Sequence, residues 1–315
     1  DYKDNAKGAL LLEPQRTNKL TTSQDFSSFL KSGTITTTAN YGISPNGKQD
    51  STRVVFSSSN SAFYKLSVHS GNTETNSIYI KGTNGETIKF GKGATVNLGG
   101  FFTLNGEWQR LEYVSTTGNQ FIINTYGGAT ARDIEIFGAQ IEEGSYATSY
   151  IPTQGTAQTR LADSCNKGAN DQVINSTEGV LYAEISFLES SSSANNQISL
   201  SDGSGNNRIM IYPLSNTQLG LRFNANGSQL VAQTVTVSSL IIYSKIAIKW
   251  GNGNYSLYQN GLKVYTQTIA STPTGLNKLN FSSVTETSNL KGNVKDVKIY
   301  NTVLSDSELA ALTTI

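Results

Sequence analysis

The chain has 315 residues, a length that suits two domains of about 150 residues each. It carries 24 Lys and Arg against 23 Asp and Glu, and only 15% of its residues are charged, so neither a polyanion nor a membrane surface is favoured as partner. One cysteine, Cys165, excludes an intrachain disulfide, and with one histidine, His69, there are too few ligands for a zinc site.

In chain order, Gly8 to Glu13 (GALLLE) reads as a short apolar strand stopped by Pro14, the first strand of the first domain. Gln24 to Leu30, with Phe26 and Phe29, reads as a single helical turn. From Thr34 onward come TITTT, TRVVFS, AFYKLSVH, NSIYIKG, ETIKF, TVNL from Thr95, WQRLEYVS and QFIIN. Turns such as Asn46-Gly47, Asn84-Gly85, Asn105-Gly106 and Gly118-Asn119 separate several of them. Short β-branched and aromatic runs at this spacing predict an antiparallel sandwich. The stretch Asp133 to Thr153 closes it. Ile134 and Ile136 share one parity, Phe137, Ala139 and Ile141 the other, and the change falls at Gly138, which predicts a β-bulge. Tyr146, Tyr150 and Ile151 then precede Pro152, and this segment reads as an ordered strap over the sandwich.

The first domain is therefore placed at 1–152 and an ordered linker at 153–178. The second domain, 179–315, begins with GVLYAEISF and continues through NQISLS, RIMIYPL, QLGLRF and SQLVAQT to KIAIKWGNGNYSLYQNGLKVYTQT. Asn260-Gly261 between two alternating runs predicts a two-residue hairpin. GNVKDVKIYN is the last strand, and Ser305-Asp-Ser-Glu308 is a capping box for a short C-terminal helix. The fold class is all-β: two tandem antiparallel jelly-roll sandwiches.

Two stretches resemble bacteriophage tail and head appendage proteins, namely GALLLEPQRTN from Gly8 and GAQIEEGSYATSYIPTQGTAQTRLAD from Gly138. In such proteins a jelly roll like a carbohydrate-binding module is followed by a laminin-G/concanavalin-A-like domain. The second half resembles that family at Tyr258-Gln-Asn260-Gly261 and at VKIYNTVLSDSELAAL. The resemblance implies a fibre or spike subunit on the virion surface that binds host glycan and attaches to other virion proteins. It also implies a homotrimer within the virion. The chain itself has no heptads or collagen repeat, so the expectation in isolation is a monomer. Modules of this kind commonly hold a structural calcium ion, which the resemblance puts at Asp133, with Glu13 facing it.

Composition and aromatic placement give the candidate sites. Abundant Ser, Thr, Asn and Gly with 9% aromatic residues suit neutral polar ligands, because sugar C–H faces stack on rings while amides and guanidiniums take hydroxyls. The candidate platforms are Tyr41, Tyr64, Tyr79, Trp108 and Tyr126, then Tyr212, Trp250, Tyr255 and Tyr258. Arg208, Arg222 and Asn260 are the candidate donors. For Trp108 and Trp250, core packing is the favoured reading. Glu184-Ile-Ser-Phe-Leu-Glu189 resembles the carboxylate motif of concanavalin-A-like glycoside hydrolases, but Ser186 replaces the helper Asp. Strand parity also puts Glu184 and Glu189 on opposite faces. A binding protein is expected rather than an enzyme, with a purely structural capsid or spike decoration protein, or a polysaccharide depolymerase, as the alternatives.

Overall fold

The computed structural model describes residues 8–66, 70–93, 99–127, 131–188, 196–286 and 288–315. His69, Glu189 and the strand expected at Thr95 lie outside these. The chain is nearly all β and divides into two compact units, one of residues 15–161 and one of residues 1–14 with 162–315.

The first strand, β1 (Leu10–Leu12), corrects the sequence reading. It pairs antiparallel with the last strand of the chain, Leu10 opposite Val294 and Leu12 opposite Gly292. Leu12 is buried in the core of the later unit. The first sandwich is therefore inserted between the first strand of the second sandwich and the rest of it. Where the chain re-enters that unit, the Asp163 N–H donates to the Glu13 carbonyl and the Glu13 N–H to Asp163 Oδ2, both at 2.9 Å.

The unit of residues 15–161 opens with β2 (Arg16–Asn18), β3 (Leu30–Ser32), β4 (Ile35–Thr38), β5 (Thr52–Phe56), β6 (Ala62–Leu66) and β7 (Glu74–Gly82). It continues through β8 (Thr87–Gly93), β9 (Gly100–Thr103), β10 (Gln109–Ser115), β11 (Gln120–Asn124), β12 (Arg132–Glu143) and β13 (Gln158–Arg160). One sheet runs β10-β7-β12-β5-β4 and the other β3-β6-β11-β8-β9, while β2 and β13 form a ribbon. Alternate residues of the sheets meet in one core: Val54, Ile78, Ile80, Ile134 and Ile136 from the first, Phe63, Ile88, Phe90, Phe121 and Ile123 from the second. Phe26 and Phe29 join this core from a turn rather than a helix. The carboxylate of Asp25 accepts from the Ser27 N–H and favours the turn.

The bulge in β12 is where the sequence put it. Register against β7 shifts between Phe137 and Gln140, with Gly138 at φ +65°. Ala139 and Ile141 thereby stay in the core with Ile134 and Ile136. Phe137 alone is sent to the outer face, where its ring meets Tyr79 and Tyr150. The strap covers that face. Ile151 N–H donates to Gln140 Oε1 at 2.7 Å, Thr148 N–H to Glu142 Oε2 at 2.9 Å, and the Tyr150 hydroxyl pairs with Ser23 Oγ at 2.6 Å.

The second sandwich continues with β14 (Gly179–Phe187), β15 (Ile198–Ser201), β16 (Arg208–Ser215), β17 (Gln218–Ala225) and β18 (Ser228–Thr236). Then follow β19 (Ser244–Gly251), β20 (Asn254–Gln259), β21 (Leu262–Thr268), β22 (Lys278–Asn280), β23 (Gly292–Tyr300) and α1 (Asp306–Thr313). Its sheets run β1-β23-β14-β19-β20-β21 and β18-β17-β16-β15-β22. Helix α1 starts on the predicted capping box, with Ser305 as N-cap and Glu308 reaching back. Its Leu309 packs with Val180, Tyr182, Ala247 and Tyr258 on the outer face of the six-stranded sheet. The segment expected to be a linker is ordered and divided between the units: Gln158–Arg160 pairs with β2, and Ile174 enters the second core.

Candidate functional site

The core of the first sandwich stops short of one end. Along the inward parity of β5 the residues run Phe56, Val54, Thr52 and, just before the strand, Asp50, so the face turns from apolar to polar. β4 does the same with Ile35 and Thr37. Beyond that point a cleft of about 720 Å³ opens, lined by these polar residues, by Thr22 and Gln24 to Ser27, by Ala39 and Asn40, and by strap residues Thr153 to Gly155.

Its rim is tied in place. Gly155 N–H donates to the Thr21 carbonyl at 2.7 Å, Thr153 N–H to Ser23 Oγ at 2.8 Å, and Ser23 N–H to Thr153 Oγ1 at 3.0 Å. Asn40 takes a positive φ of 51°, which Asn tolerates, and its carbonyl accepts from Gln49 Nε2.

Two buried oxygens on the lining, Thr22 Oγ1 and Asp50 Oδ1, have no hydrogen-bond partner. The other Asp50 oxygen accepts from Asn46 Nδ2 at 2.8 Å, which fixes the carboxylate. Hydrogen bonds from Ser27 hold the Asp25 carboxyl below the usual carboxylate range. Among the described residues no Lys or Arg lines the cleft. The set is thus rich in acceptors with hydroxyls and amides beside them, and it matches a ligand that presents several neutral O–H donors.

None of the sequence candidates lines this cleft. Tyr41 follows Asn40 and is exposed, with the Arg53 guanidinium 5.0 Å from its ring centre. Trp108 is half-buried and donates its Nε1 to the Ile43 carbonyl at 3.0 Å. Tyr64 is half-buried on β6, Tyr79 is packed by Phe137 and Tyr150, and Tyr126 is half-buried after β11. None of these five residues' rings lines the cleft.

In the second sandwich Trp250 and Tyr255 are core, Trp250 with its Nε1 donating to the Asn175 carbonyl. Tyr258 points the other way but is covered by α1. Core packing is the reading the sequence favoured for Trp250, whereas Tyr255 and Tyr258 are corrections: β19 and β20 are buried on both faces, so neither parity offers a platform. Asn260 is a turn residue at φ +50°, its Oδ1 accepting from the Lys245 N–H. Arg208, Tyr212 and Arg222 share the outer face of the five-stranded sheet, where the Tyr212 ring lies over Gly220.

The two expected calcium ligands fall in different units. Glu13 belongs to the second sandwich because β1 pairs there, whereas Asp133 lies on β12 of the first. Both oxygens of Asp133 accept from Arg53, at 2.8 and 2.5 Å. Among the described residues no group of three or more His, Cys, Asp or Glu is placed to hold a metal ion. Glu184 stands on the outer face of β14 beside Tyr182, whose hydroxyl is pushed up to about 12 by burial and by the Glu184 charge. The register shift opposite Glu184 falls on β23, so β14 keeps its regular alternation.

Thr22, Asp25 and Gln154 were not among the candidates legible in the sequence. The one available signal was the passage from Val54 through Thr52 to Asp50 along a single strand parity.

Residues 182–310 match the family model for the concanavalin A-like lectin/glucanases superfamily (laminin G type). Among solved structures, a carbohydrate-binding module of the Ruminococcus gnavus intramolecular trans-sialidase, bound to α2,3-sialyllactose, is 18% identical. It covers 49% of this chain and 97% of its own at a TM-score of 0.38. Domain 4 of an arabinanase from Geobacillus stearothermophilus, in complex with arabinotriose, is 15% identical over 55% of this chain and 83% of its own, with a TM-score of 0.36. The LG4-5 domains of the mouse laminin α1 chain are 10% identical over 72% of this chain and 82% of theirs, with a TM-score of 0.29. At these distances no ligand site transfers. No curated protein sequence matches the chain.

Proposed function

We propose that this is a non-enzymatic glycan-binding protein whose first sandwich takes a neutral saccharide in the cleft beside Thr22 and Asp50. The observation that carries the reading is the pair of buried acceptors without partners on a preorganised, cation-free polar lining. Leaving a buried acceptor unpaired costs roughly 1–3 kcal/mol, which a ligand hydroxyl would recover. The lectin-type family match of residues 182–310 supports carbohydrate binding in the other sandwich as well. An enzymatic role for Glu184 lacks support, since Ser186 stands where a helper carboxylate would be needed.

Calorimetric titration with neutral oligosaccharides, chosen from a glycan array on the full chain, tests the site. Asp50→Asn and Thr22→Val should each weaken binding by about tenfold or more, in line with the loss of a hydrogen bond to a charged or buried acceptor. Unchanged affinity in both variants, or an array without neutral ligands, refutes it. A reducing-sugar assay with Glu184→Gln as control would expose a depolymerase.

Placement on a phage virion, in a trimer gathered by another virion protein, rests on the sequence resemblance at the chain's two junction stretches. Avidity gives such an assembly its use, because linked weak sites gain about 10²–10⁴ in apparent affinity. Light scattering across dilution, alone and with candidate attachment proteins, tests it; a stable trimer of the isolated chain would contradict the monomer expected here.

A further inference from the structure

The five-stranded sheet of the second sandwich contains none of the chain's 23 acidic residues. Its charged residues are Arg208, Arg222 and Lys278, and strand register puts all three on one face. Lys278 is opposite Ser201, Ser201 opposite Arg208, and Arg208 opposite Asn224. Arg222 lies two residues from Asn224 on β17 and therefore shares its face. The opposite face, with Leu200, Ile209, Phe223 and Leu279, is core.

All three cations are half-buried, and among the described residues none forms an ion pair. Several cations elsewhere in the chain are paired, among them Arg53 with Asp133, Lys249 and Lys263 with Asp306, and Lys298 with Asp296. Asp202, in the loop that leaves β15, is occupied by the Ser204 N–H and hydroxyl and by Asn207 Nδ2.

The arginines are also held ready. Arg222 Nη1 donates to Gln229 Oε1 at 2.8 Å, which orients the guanidinium. Arg208 Nε is buried and has no partner, and neither has Asn280 Nδ2 on the same face. Burial and the neighbouring charge of Arg222 both weaken the hold of Arg208 on its proton, the signature of like charges placed together without a counter-ion. An anion would relieve that repulsion and pair the free donors.

We infer that this face binds an acidic saccharide, seating its carboxylate or sulfate on Arg208 and Arg222 with Lys278 as a further cation. A guanidinium fork suits either group, since both offer two oxygens side by side. Three cations are few for a nucleic acid, which needs phosphate contacts along its length. The neutral residues around them, Asn224, Gln229 and Thr234, suit the hydroxyls of a sugar instead.

The test uses the full chain and four probes: oligogalacturonate, sulfated dextran oligosaccharide, neutral galactan oligosaccharide and a single-stranded DNA oligonucleotide. The expected result is that at least one acidic saccharide binds more tightly than the neutral one, and the stronger of the two identifies carboxylate or sulfate as the ligand group. Arg208→Gln and Arg222→Gln should each weaken that binding about tenfold. Arg208→Lys should restore only part of it, and added salt should weaken it. Asp50→Asn, which removes the proposed neutral site, should leave acidic binding unchanged, so the two readings fail separately. Acidic and neutral saccharides binding alike, DNA binding more tightly than either acidic saccharide, or full acidic binding by a folded Arg208→Gln/Arg222→Gln double variant would overturn the inference.

Discussion

The two sandwiches close in the same way and cover themselves differently. Each ends on a long strand with a register shift, β12 at Gly138 and β23 opposite Glu184, and in each the following segment lies over the outer face of that strand's own sheet. In the first sandwich the cover is a strap held by buried polar groups. In the second it is an amphipathic helix held by leucines. A hydrogen-bonded strap needs every buried partner satisfied and leaves polar groups free at its margin, which is where the cleft lies. A helix satisfies its own backbone and seals the face with apolar area.

That difference predicts where each sandwich breaks. Asn18 is fully buried and uses its whole side chain: Nδ2 donates to the Ala139 and Ile151 carbonyls, while Oδ1 accepts from the Leu20 and Ile141 N–H groups. Asn18→Ala removes the side-chain partner of four backbone groups at once and should cost about 4 kcal/mol or more, at roughly 1–3 kcal/mol for each group that water cannot reach. Trp108 and Trp250 lie one in each sandwich, so fluorescence of single-Trp variants reports the units separately. The loss should appear at Trp108. An equal loss at Trp250, or none at either, would show that the strap is not what Asn18 supports.

The helix should respond on the other side of the comparison. Leu309→Ala removes a fully buried side chain and should cost the second sandwich about 2–4 kcal/mol, read at Trp250. Ser305→Ala removes the N-cap and should cost about 1 kcal/mol. If the helix variants leave the Trp250 transition unmoved, the cover does not contribute to the sheet's stability.

Local features were legible in the sequence and long-range partners were not. The bulge at Gly138, the Asn260-Gly261 turn and the Ser305 capping box depend on one residue's conformational freedom or on contacts a few residues apart, so the sequence shows them directly. The pairing of β1 with β23 joins residues 280 or more positions apart. Nothing in LLL distinguishes that partner from a nearby strand. The aromatic platforms failed for a related reason. Alternation reveals a solvent face only when one face is solvated, and KIAIKW and NYSLYQ are covered on both sides. The cleft was invisible because no residue type marks it; it exists where a strand's inward parity becomes polar before the strand's partners end.

The smallest expected effect concerns the cluster next to Tyr41. Hydrogen bonds from Arg53 hold the Asp133 carboxyl below the usual carboxylate range. A group whose folded pKa is depressed stabilises the fold above its unfolded value, near 3.9, and loses that contribution as the pH falls through the folded pKa. Wild type and Asp133→Asn should therefore differ in stability by a constant amount from about pH 5 upward and converge at lower pH. Both side chains are well exposed, so solvent screening keeps the difference small, and salt should shrink it further. Denaturation of the first sandwich from pH 2 to 7, followed at Trp108, measures it. Convergence on raising the pH instead would mean that Arg53 does not stabilise the ionised carboxylate and that its contact with the Tyr41 ring alone positions it.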